Sequence, residues 1–143
     1  MSKSDTYLVP IDFSRGSQQA LDYALKLARQ RKGKVIALHV IPTEIVYTPV
    51  AGRLDLYSLM ERDAQESFRL LSKRKRLKPE DCRFESVRAA NFAEAIARRA
   101  KKLGATMIVM GSHGRTGLQR FVLGSVAERT IRYADCPVLI VKK

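Results

Sequence analysis

The sequence predicts a Rossmann-like α/β fold with a doubly wound, five-stranded parallel sheet. Short, nearly continuous apolar runs alternate with longer amphipathic segments along the 143 residues, a pattern typical of strands that helices cover on both faces. Right-handed crossovers between such strands favour the strand order 3-2-1-4-5 in a single domain, residues 1–143. In that order the first and fourth strands flank a switch point, and ligands bind in the crevice outside the C-terminal ends of those strands.

Five apolar runs are the predicted strands: TYLVPI, KVIALHVI, CRFESV, ATMIVM and PVLIV, in chain order. CRFESV is the most polar of them, which predicts an edge position. PVLIV forms the opposite edge, and an apolar edge invites pairing with another chain. The alternative is that Lys142 and Lys143 protect this edge in a monomer.

Amphipathic periodicity predicts the first two helices. SQQALDYALKLARQRK has Gly33 as its C-terminal stop, and the second helix is LDLYSLMERDAQESFRLLSKRKRL. The apolar faces consist of Ala20, Leu21, Ala24, Leu25 and Ala28 in the first helix, and of Leu56, Leu59, Met60, Phe68 and Leu71 in the second.

Capping signals predict the third helix, NFAEAIARRAKKLG. Asn91 is its N-cap, Glu94 completes a variant of the capping box, and Gly104 ends the helix. A fourth helix runs from near Ser125 to about Tyr133. The loop PTEIVYTPVAGR (Pro42–Arg53) is either a plain surface loop or a flap over the crevice.

The chain carries a formal net charge of +13, which favours attraction to polyanions or to anionic ligands. The charge is concentrated in KRKRLK (Lys73–Lys78) and RRAKK (Arg98–Lys102). These runs are either solvated helix ends that complement the helix dipole or a nucleic-acid contact. Aromatic residues are not interleaved with them, so they form no stacking platform for single strands.

Composition excludes several other classes of protein. With 45% apolar and 29% charged residues, the chain has the make-up of a soluble globular protein, and no apolar run approaches the roughly 20 residues of a membrane span. The amino terminus does not read as a signal peptide. Cys82 and Cys136 lie far apart without ligand-like spacing, so we expect free thiols in a reducing cytoplasm.

Glycines after the fourth strand raise the question of a phosphate site. Gly111, Gly114 and Gly124 precede or open the last helix, followed by Ser125. Helix N-termini bind phosphate, and Arg115 and Arg120 would add charge-assisted contacts. The alternative is a plain turn and a plain helix cap. A P-loop is absent, and DFSRGS follows the first strand in place of G-x-G-x-x-G.

The pattern G-x₂-G-x₉-G-[ST] resembles that of the universal stress proteins. The stretch IVMGSHGRTGLQRFVLGSVAERTIRYADCPVLIV reads like the C-terminal third of that family, and YLVPIDFSRGSQQAL and VIALHVI resemble its opening strands. The resemblance covers essentially the whole chain. One departure is Ala89-Ala90-Asn91-Phe92, where the family often has a glycine before the third helix.

The resemblance implies a fold akin to adenine-nucleotide hydrolases, a homodimer that pairs through the C-terminal strand, and membership of the ATP-binding branch. Carried over by position, Pro10 and Asp12 lie at the adenosine end and the Val40 backbone meets the adenine. Asp12 is also the candidate Mg²⁺ ligand, its alternative role being that of a turn residue. The implied ribose and phosphate contacts are Met110, Gly111, Ser112, His113, Gly114, Arg115, Thr116, Gly117, Gly124, Ser125 and Val126. On this basis the three glycines form one phosphate cradle.

The function expected from the sequence is ATP binding by a nucleotide-sensing stress-response module. No catalytic residue is predicted, because Arg115 is a candidate charge stabiliser but no convincing general base accompanies it. We interpret His113 as a loop-shaping residue and His39 as a core histidine. The alternatives are a slow ATPase or nucleotidyl transferase, and a nucleic-acid-binding protein that uses the basic runs.

Overall fold

The computed structural model describes residues 3–43, 56–113 and 122–142. Strands and helices alternate, as the sequence predicts. The elements are β1 (Thr6–Pro10), α1 (Arg15–Arg31), β2 (Lys34–Pro42), α2 (Leu56–Lys75), β3 (Cys82–Ala89), α3 (Phe92–Leu103), β4 (Met107–Gly111), α4 (Ser125–Tyr133) and β5 (Val138–Val141).

The five strands form one parallel sheet in the order β3-β2-β1-β4-β5, which confirms the predicted order. β3 and β5 are its edges, as predicted. In the centre, β1 pairs with β2 from Thr6↔Lys34 onwards and with β4 at Tyr7↔Met107. Because the order reverses between β1 and β4, the connections on the two sides diverge and leave a crevice at the carboxyl ends of these strands.

Two apolar cores lie on opposite faces of the sheet. Tyr7 and Val9 of β1 pack against α1 and α2, whereas Leu8 packs against α3 and α4. Leu8 and Val9 are fully buried. The nearly continuous apolar sequence of β1 follows from this arrangement, because alternate side chains enter different cores.

Local capping sets the ends of α1 and α3. The side chains of Ser14 and Asn91 accept hydrogen bonds from the first turns of these helices. Gly104 ends α3 in the left-handed conformation, as predicted, but Lys32 takes that role in α1, with φ of 51°. The prediction of Gly33 as the stop is therefore wrong by one residue. Gly33 is needed because an added Cβ would lie 2.7 Å from the carbonyl oxygen of Asp5.

The structure corrects the predicted apolar face of the second helix. Leu71 is buried and Phe68 stacks on Phe84, but Leu59 is 44% exposed. The helix also ends at Lys75 rather than Leu77. Ala64 is the other buried residue of α2, so only part of the apolar stripe of this helix meets the core.

Both cysteines are free thiols, as predicted. Burial raises the pKa of Cys82 to about 12 and also raises that of Cys136. None of the helices in the described ranges combines the length and the apolar character that a membrane crossing requires.

A partly buried ion-pair network ties the edge strand β3 to α3. Glu85 accepts hydrogen bonds from Arg99 Nε at 2.6 Å and from Arg83 at 2.7 Å. The hydrogen bond from Arg99 is the main reason why the pKa of Glu85 lies below its usual 4.5. Because the folded-state pKa is depressed, this stabilisation is present above the unfolded pKa and is lost as pH falls through the folded-state value.

Glu85→Gln is therefore expected to lower the free energy of unfolding by about 1 kcal/mol at neutral pH. The difference in free energy of unfolding between wild type and variant should become smaller as the pH falls below 4.5. Urea denaturation at a series of pH values measures this difference. Glu66→Gln is the matched control, because the Glu66–Arg69 pair is more than half exposed and exposed ion pairs contribute little to stability. A difference in unfolding free energy that does not change with pH would contradict the stabilising role of the Glu85 ion pairs.

Candidate functional site

A cavity of about 530 Å³ opens at the carboxyl ends of the central strands. Its floor is made by the ends of β1, β2 and β4, and its walls by α2, α3 and the start of α4. Ten of the predicted site residues line it: Pro10, Asp12, Val40, Met110, Gly111, Ser112, His113, Gly124, Ser125 and Val126. The predicted Gly114, Arg115, Thr116 and Gly117 lie outside the described residues, as does most of the Pro42–Arg53 loop.

The turn between β1 and α1 places Asp12 at the cavity. The Asp12 carboxylate accepts a hydrogen bond from the Ser14 N–H at 3.0 Å and also lines the cavity. Phe13 follows in the left-handed region, with φ of 66°, and the Gln18 side chain donates to its carbonyl at 3.0 Å. A bulky residue is strained there. Asp12 thus has the turn role that the sequence offered as one alternative, and it also lines the cavity.

His39 is a cavity residue, which corrects its interpretation as a core histidine. Its side chain is partly buried in β2, and its Nδ1 lies 2.8 Å from the carbonyl oxygen of Ile11. Because a carbonyl only accepts hydrogen bonds, Nδ1 carries the proton. The ring also packs on Phe13, with 5.4 Å between ring centroids. His39 therefore joins β2 to the end of β1 at the cavity floor.

Glycine is required at the end of β4 by packing against α1. A Cβ added to Gly111 would lie 2.9 Å from the carbonyl carbon and oxygen of Gly16, and a Cβ on Gly16 would lie 2.9 Å from the carbonyl oxygen of His113. Real Cβ atoms essentially never approach backbone atoms so closely. The two glycines thus let the backbone after β4 rest directly on the first turn of α1.

Ser112 and His113 continue this backbone into the cavity wall. The Ser112 carbonyl accepts a 2.7 Å hydrogen bond from the Gly124 N–H, which fixes the start of α4 against the end of β4. The Ser112 hydroxyl is 3.0 Å from His113 Nδ1, consistent with a loop-shaping role. His113 Nε2 is buried and has no hydrogen-bond partner in the described part of the chain.

The first turn of α4 is open, unlike those of α1 and α3. Gly124 is the N-cap residue, and no side chain caps the helix. An added Cβ on Gly124 would lie 3.0 Å from the Ser112 carbonyl oxygen, so this close approach favours glycine. Gly124, Ser125 and Val126 line the cavity, and the first N–H groups of a helix have no partner within the helix itself. The arrangement suits a bound anion.

Side-chain charge at the cavity is mostly negative among the described residues. Asp12 and Asp63 line it, whereas no lysine or arginine does within residues 3–43, 56–113 and 122–142. Attraction for an anion in this part of the site therefore comes from backbone N–H groups and the helix dipole. The same ranges hold no group of three or more potential metal ligands, so the Mg²⁺ prediction rests on Asp12 alone.

The α2 wall is the part of the site that the sequence patterns missed. Met60, Asp63, Ala64 and Ser67 of α2 line the cavity. Their spacing of three and four residues marks one helix face, but only the packed structure shows that this face meets a cavity. Other residues without a sequence prediction are Ile11, Phe13, Ser17, Leu38, Pro42, Phe92, Ile96 and Ala127.

Comparison with known proteins gives one consistent family. A family model described as the universal stress protein family matches residues 4–142. The universal stress protein MJ0531 of Methanocaldococcus jannaschii is 37% identical over 141 residues, which cover 95% of this chain and 81% of that protein.

Solved structures show the same similarity. The structure of MJ0577 from the same organism has a TM-score of 0.80 and 28% identity, covering 98% of this chain and 96% of that one. A universal stress protein in complex with cAMP has a TM-score of 0.62 and 26% identity, covering 99% and 98%.

Proposed function

The chain belongs to the universal stress protein family, and on this premise we propose that it is a nucleotide-sensing regulatory module that binds ATP or another adenine nucleotide. The nucleotide occupies the cavity between β1, β4 and the start of α4. Binding changes the surface presented by the neighbouring loops, which is how the bound state is read by a protein partner in a stress response.

The observation that carries this proposal is the open first turn of α4 at the cavity. Gly124 caps the helix without a side-chain acceptor, and Ser125 and Val126 line the cavity beside it. These N–H groups and the Ser125 hydroxyl are donors for phosphate oxygens. His113 also lines this cavity.

An adenine and its ribose fit the remainder of the cavity. Val40, Phe92 and Met110 give it an apolar section, and nucleotide pockets combine such apolar walls with a few polar groups. The Asp12 carboxylate at the end of β1 is the candidate acceptor for a ribose hydroxyl. The relative solved with cAMP, itself an adenine nucleotide, supports this choice of base.

A Mg²⁺ ion would enter with the nucleotide rather than bind in advance. Mg²⁺ is commonly held by one or two carboxylates together with substrate phosphates and waters. Asp12 is a carboxylate of the cavity that also contains the open start of α4, so it fits this role once phosphates supply the other oxygens.

We propose binding rather than turnover as the activity of the site. Fast phosphoryl transfer needs a placed nucleophile and neutralisation of charge on the transferred group. The described cavity walls contribute no lysine or arginine, and His113 Nδ1 is engaged with the Ser112 hydroxyl. A slow ATPase or nucleotidyl transferase is the alternative, and it requires phosphate release well above background.

Calorimetric titration of ATP, with and without Mg²⁺, tests the proposal directly. We expect a dissociation constant in the micromolar range, about −8 kcal/mol, and increased protection from hydrogen exchange at residues 110–113 and 122–127. AMP and cAMP titrated in parallel identify the preferred adenine nucleotide. The absence of binding heat and of any thermal shift with all three ligands would refute the function.

We also propose that the protein is a cytoplasmic homodimer that pairs through the edge strand β5. The Ile108 N–H donates to the Pro137 carbonyl, and Ile108 is the register partner of Val138. In a parallel ladder this places the N–H groups of Leu139 and Val141 towards β4, and those of Val138 and Ile140 towards the open edge. Free cysteines fit a reducing compartment.

Ile140→Pro should separate the dimer into folded monomers. Proline removes the N–H that faces the open edge, and it is tolerated on edge strands because the inner ladder is kept. Sedimentation velocity is expected to show a dimer for wild type and a monomer for the variant, with helix content unchanged by circular dichroism. A variant that remains dimeric would place the interface elsewhere.

A further inference from the structure

The amino ends of four strands form a basic surface at the end of the sheet opposite the cavity. We call this surface the basal rim and define it as residues 3–5, 31–34, 76–81 and 101–106. The segments are neighbours: the Lys34 N–H donates to the Asp5 carbonyl, the Thr106 N–H donates to the Thr6 carbonyl, and Val35 is paired with Cys82. The rim therefore runs across β3, β2, β1 and β4 in that order.

Exposed cations outnumber carboxylates along the basal rim. The cations are Lys3, Arg31, Lys32, Lys34, Arg76, Lys78, Lys101 and Lys102, all of them exposed, and the carboxylates are Asp5, Glu80 and Asp81. In the described part of the chain, Lys101 is the only one of these cations with an ion pair, a long and exposed contact of 3.7 Å with Asp135.

Helix capping does not account for this surface. Arg31, Lys101 and Lys102 lie in the last turns of helices, where cations complement the helix dipole. Lys3, Lys34 and Lys78, however, lie outside helices, in three separate segments. Their common position at the amino end of the sheet has no role in the packing of the fold.

The two basic runs that stand out in the sequence contribute unequally. Arg98 and Arg99 are paired with Glu94 and Glu85, and Lys75 is paired with Asp22. Three of the nine cations in these runs are therefore held in short ion pairs within the described part of the chain. The basal rim contains the C-terminal part of each run together with lysines that lie alone in the sequence. Only the folded chain brings these cations together.

We propose that the basal rim binds the phosphodiester backbone of a double-stranded nucleic acid. Four strand ends about 4.8 Å apart span roughly 15 Å, and a duplex presents one phosphate per about 1.7 Å of its axis. The four segments contain no aromatic residue, so they lack the stacking platform that favours single strands. They also lack an exposed large apolar side chain, which a membrane anchor would insert into lipid.

This surface is independent of the nucleotide cavity. β1 has five residues, so the two ends of the sheet are separated by roughly 16 Å at about 3.3 Å per residue. A duplex bound to the basal rim leaves the cavity open, so the protein binds a nucleotide and a nucleic acid at the same time.

The test measures the affinity of the full chain for a short labelled DNA duplex by fluorescence anisotropy. Neutralising about four phosphates predicts that affinity falls roughly 100-fold between about 50 and 200 mM salt. The triple variant Lys3→Glu, Lys34→Glu, Lys78→Glu should bind the duplex at least about tenfold more weakly. The slope of log affinity against log salt concentration should be shallower by about one unit for each lysine replaced.

A second triple variant is the matched control. Arg15→Glu, Arg62→Glu and Arg129→Glu reverse the same number of charges at exposed positions outside the basal rim, in the first halves of α1 and α2 and at the middle of α4. It should keep most of the affinity. An equal loss in both triple variants would mean that the net charge of the protein, and not the rim, attracts the duplex.

Two further arms distinguish the rim from the cavity and from a membrane-binding surface. Saturating ATP should leave duplex binding unchanged, and displacement by ATP would place the duplex in the cavity and overturn the proposal. Binding to phosphatidylglycerol vesicles without binding to the DNA duplex would also overturn it, because the partner would then be an anionic membrane. Circular dichroism of both triple variants confirms that they are folded before the affinities are compared.

Discussion

Ser125→Asp is expected to abolish nucleotide binding while leaving the protein as stable as the wild type, or more so. Ser125 is the first residue of α4, it is exposed, and it lines the cavity. A carboxylate in the first turn of a helix stabilises it by about 0.3–1 kcal/mol. The same carboxylate faces the phosphates of the ligand, and two like charges 4 Å apart near a protein surface repel by up to about 4 kcal/mol. We therefore expect at least roughly a 100-fold loss of affinity.

The opposite signs of the two effects make this experiment selective. The asparagine side chain of Ser125→Asn has nearly the same shape as the aspartate of Ser125→Asp but carries no charge. This variant should therefore lose no more than a few-fold in affinity for the nucleotide. Calorimetry gives the affinities, and thermal unfolding without ligand gives the stabilities. Wild-type affinity in Ser125→Asp would show that the start of α4 does not hold the phosphates, even if ATP binds elsewhere in the cavity.

Gly16→Ala is expected to weaken ATP binding by about tenfold or more, although Gly16 is absent from the glycine motif and does not line the cavity. The added methyl group would lie 2.9 Å from the His113 carbonyl oxygen. The backbone after β4 must then move away from α1, and with it Ser112, whose carbonyl holds the N–H of Gly124. Small displacements of groups that position a ligand are costly, reaching about 100-fold for 1 Å in favourable cases.

Gly33→Ala is the matched control for Gly16→Ala. Its added methyl group would lie 2.7 Å from the Asp5 carbonyl oxygen, an equally close approach at the far end of the sheet. Both variants should unfold at lower temperature than wild type, but only Gly16→Ala should lose affinity in calorimetry below the unfolding transition. Equal affinities in the two variants would mean that the contact between α1 and β4 supports the fold without positioning the ligand.

The sequence predicted the elements and the strand order, since these depend on patterns that are local in the chain. Apolar runs marked every strand, including the more polar edge strand β3, and Asn91 and Gly104 marked the ends of α3. The errors lie where tertiary contacts override local preference. Lys32, and not Gly33, takes the left-handed conformation at the end of α1, and Leu59 of the predicted apolar face of α2 is exposed.

Ten residues that the family resemblance and the predicted strand order assigned to one site line a single cavity. Three features of the site depended on the folded chain. The α2 wall, the position of His39 in the cavity floor and the contact between Gly16 and Gly111 each join residues from separate elements. No spacing along the chain encodes such contacts.

What the sequence by itself determined is the family, the order of the sheet and the glycines at the end of β4 and the start of α4, because each follows from patterns that can be read along the chain. Only the tertiary structure decided why those glycines are required and where the positive charge collects. Gly111 and Gly124 serve close backbone approaches, and lysines that are isolated in the sequence share the basal rim. The physical reason is that packing distances and surface charge depend on residues that are distant in the chain and adjacent only after folding.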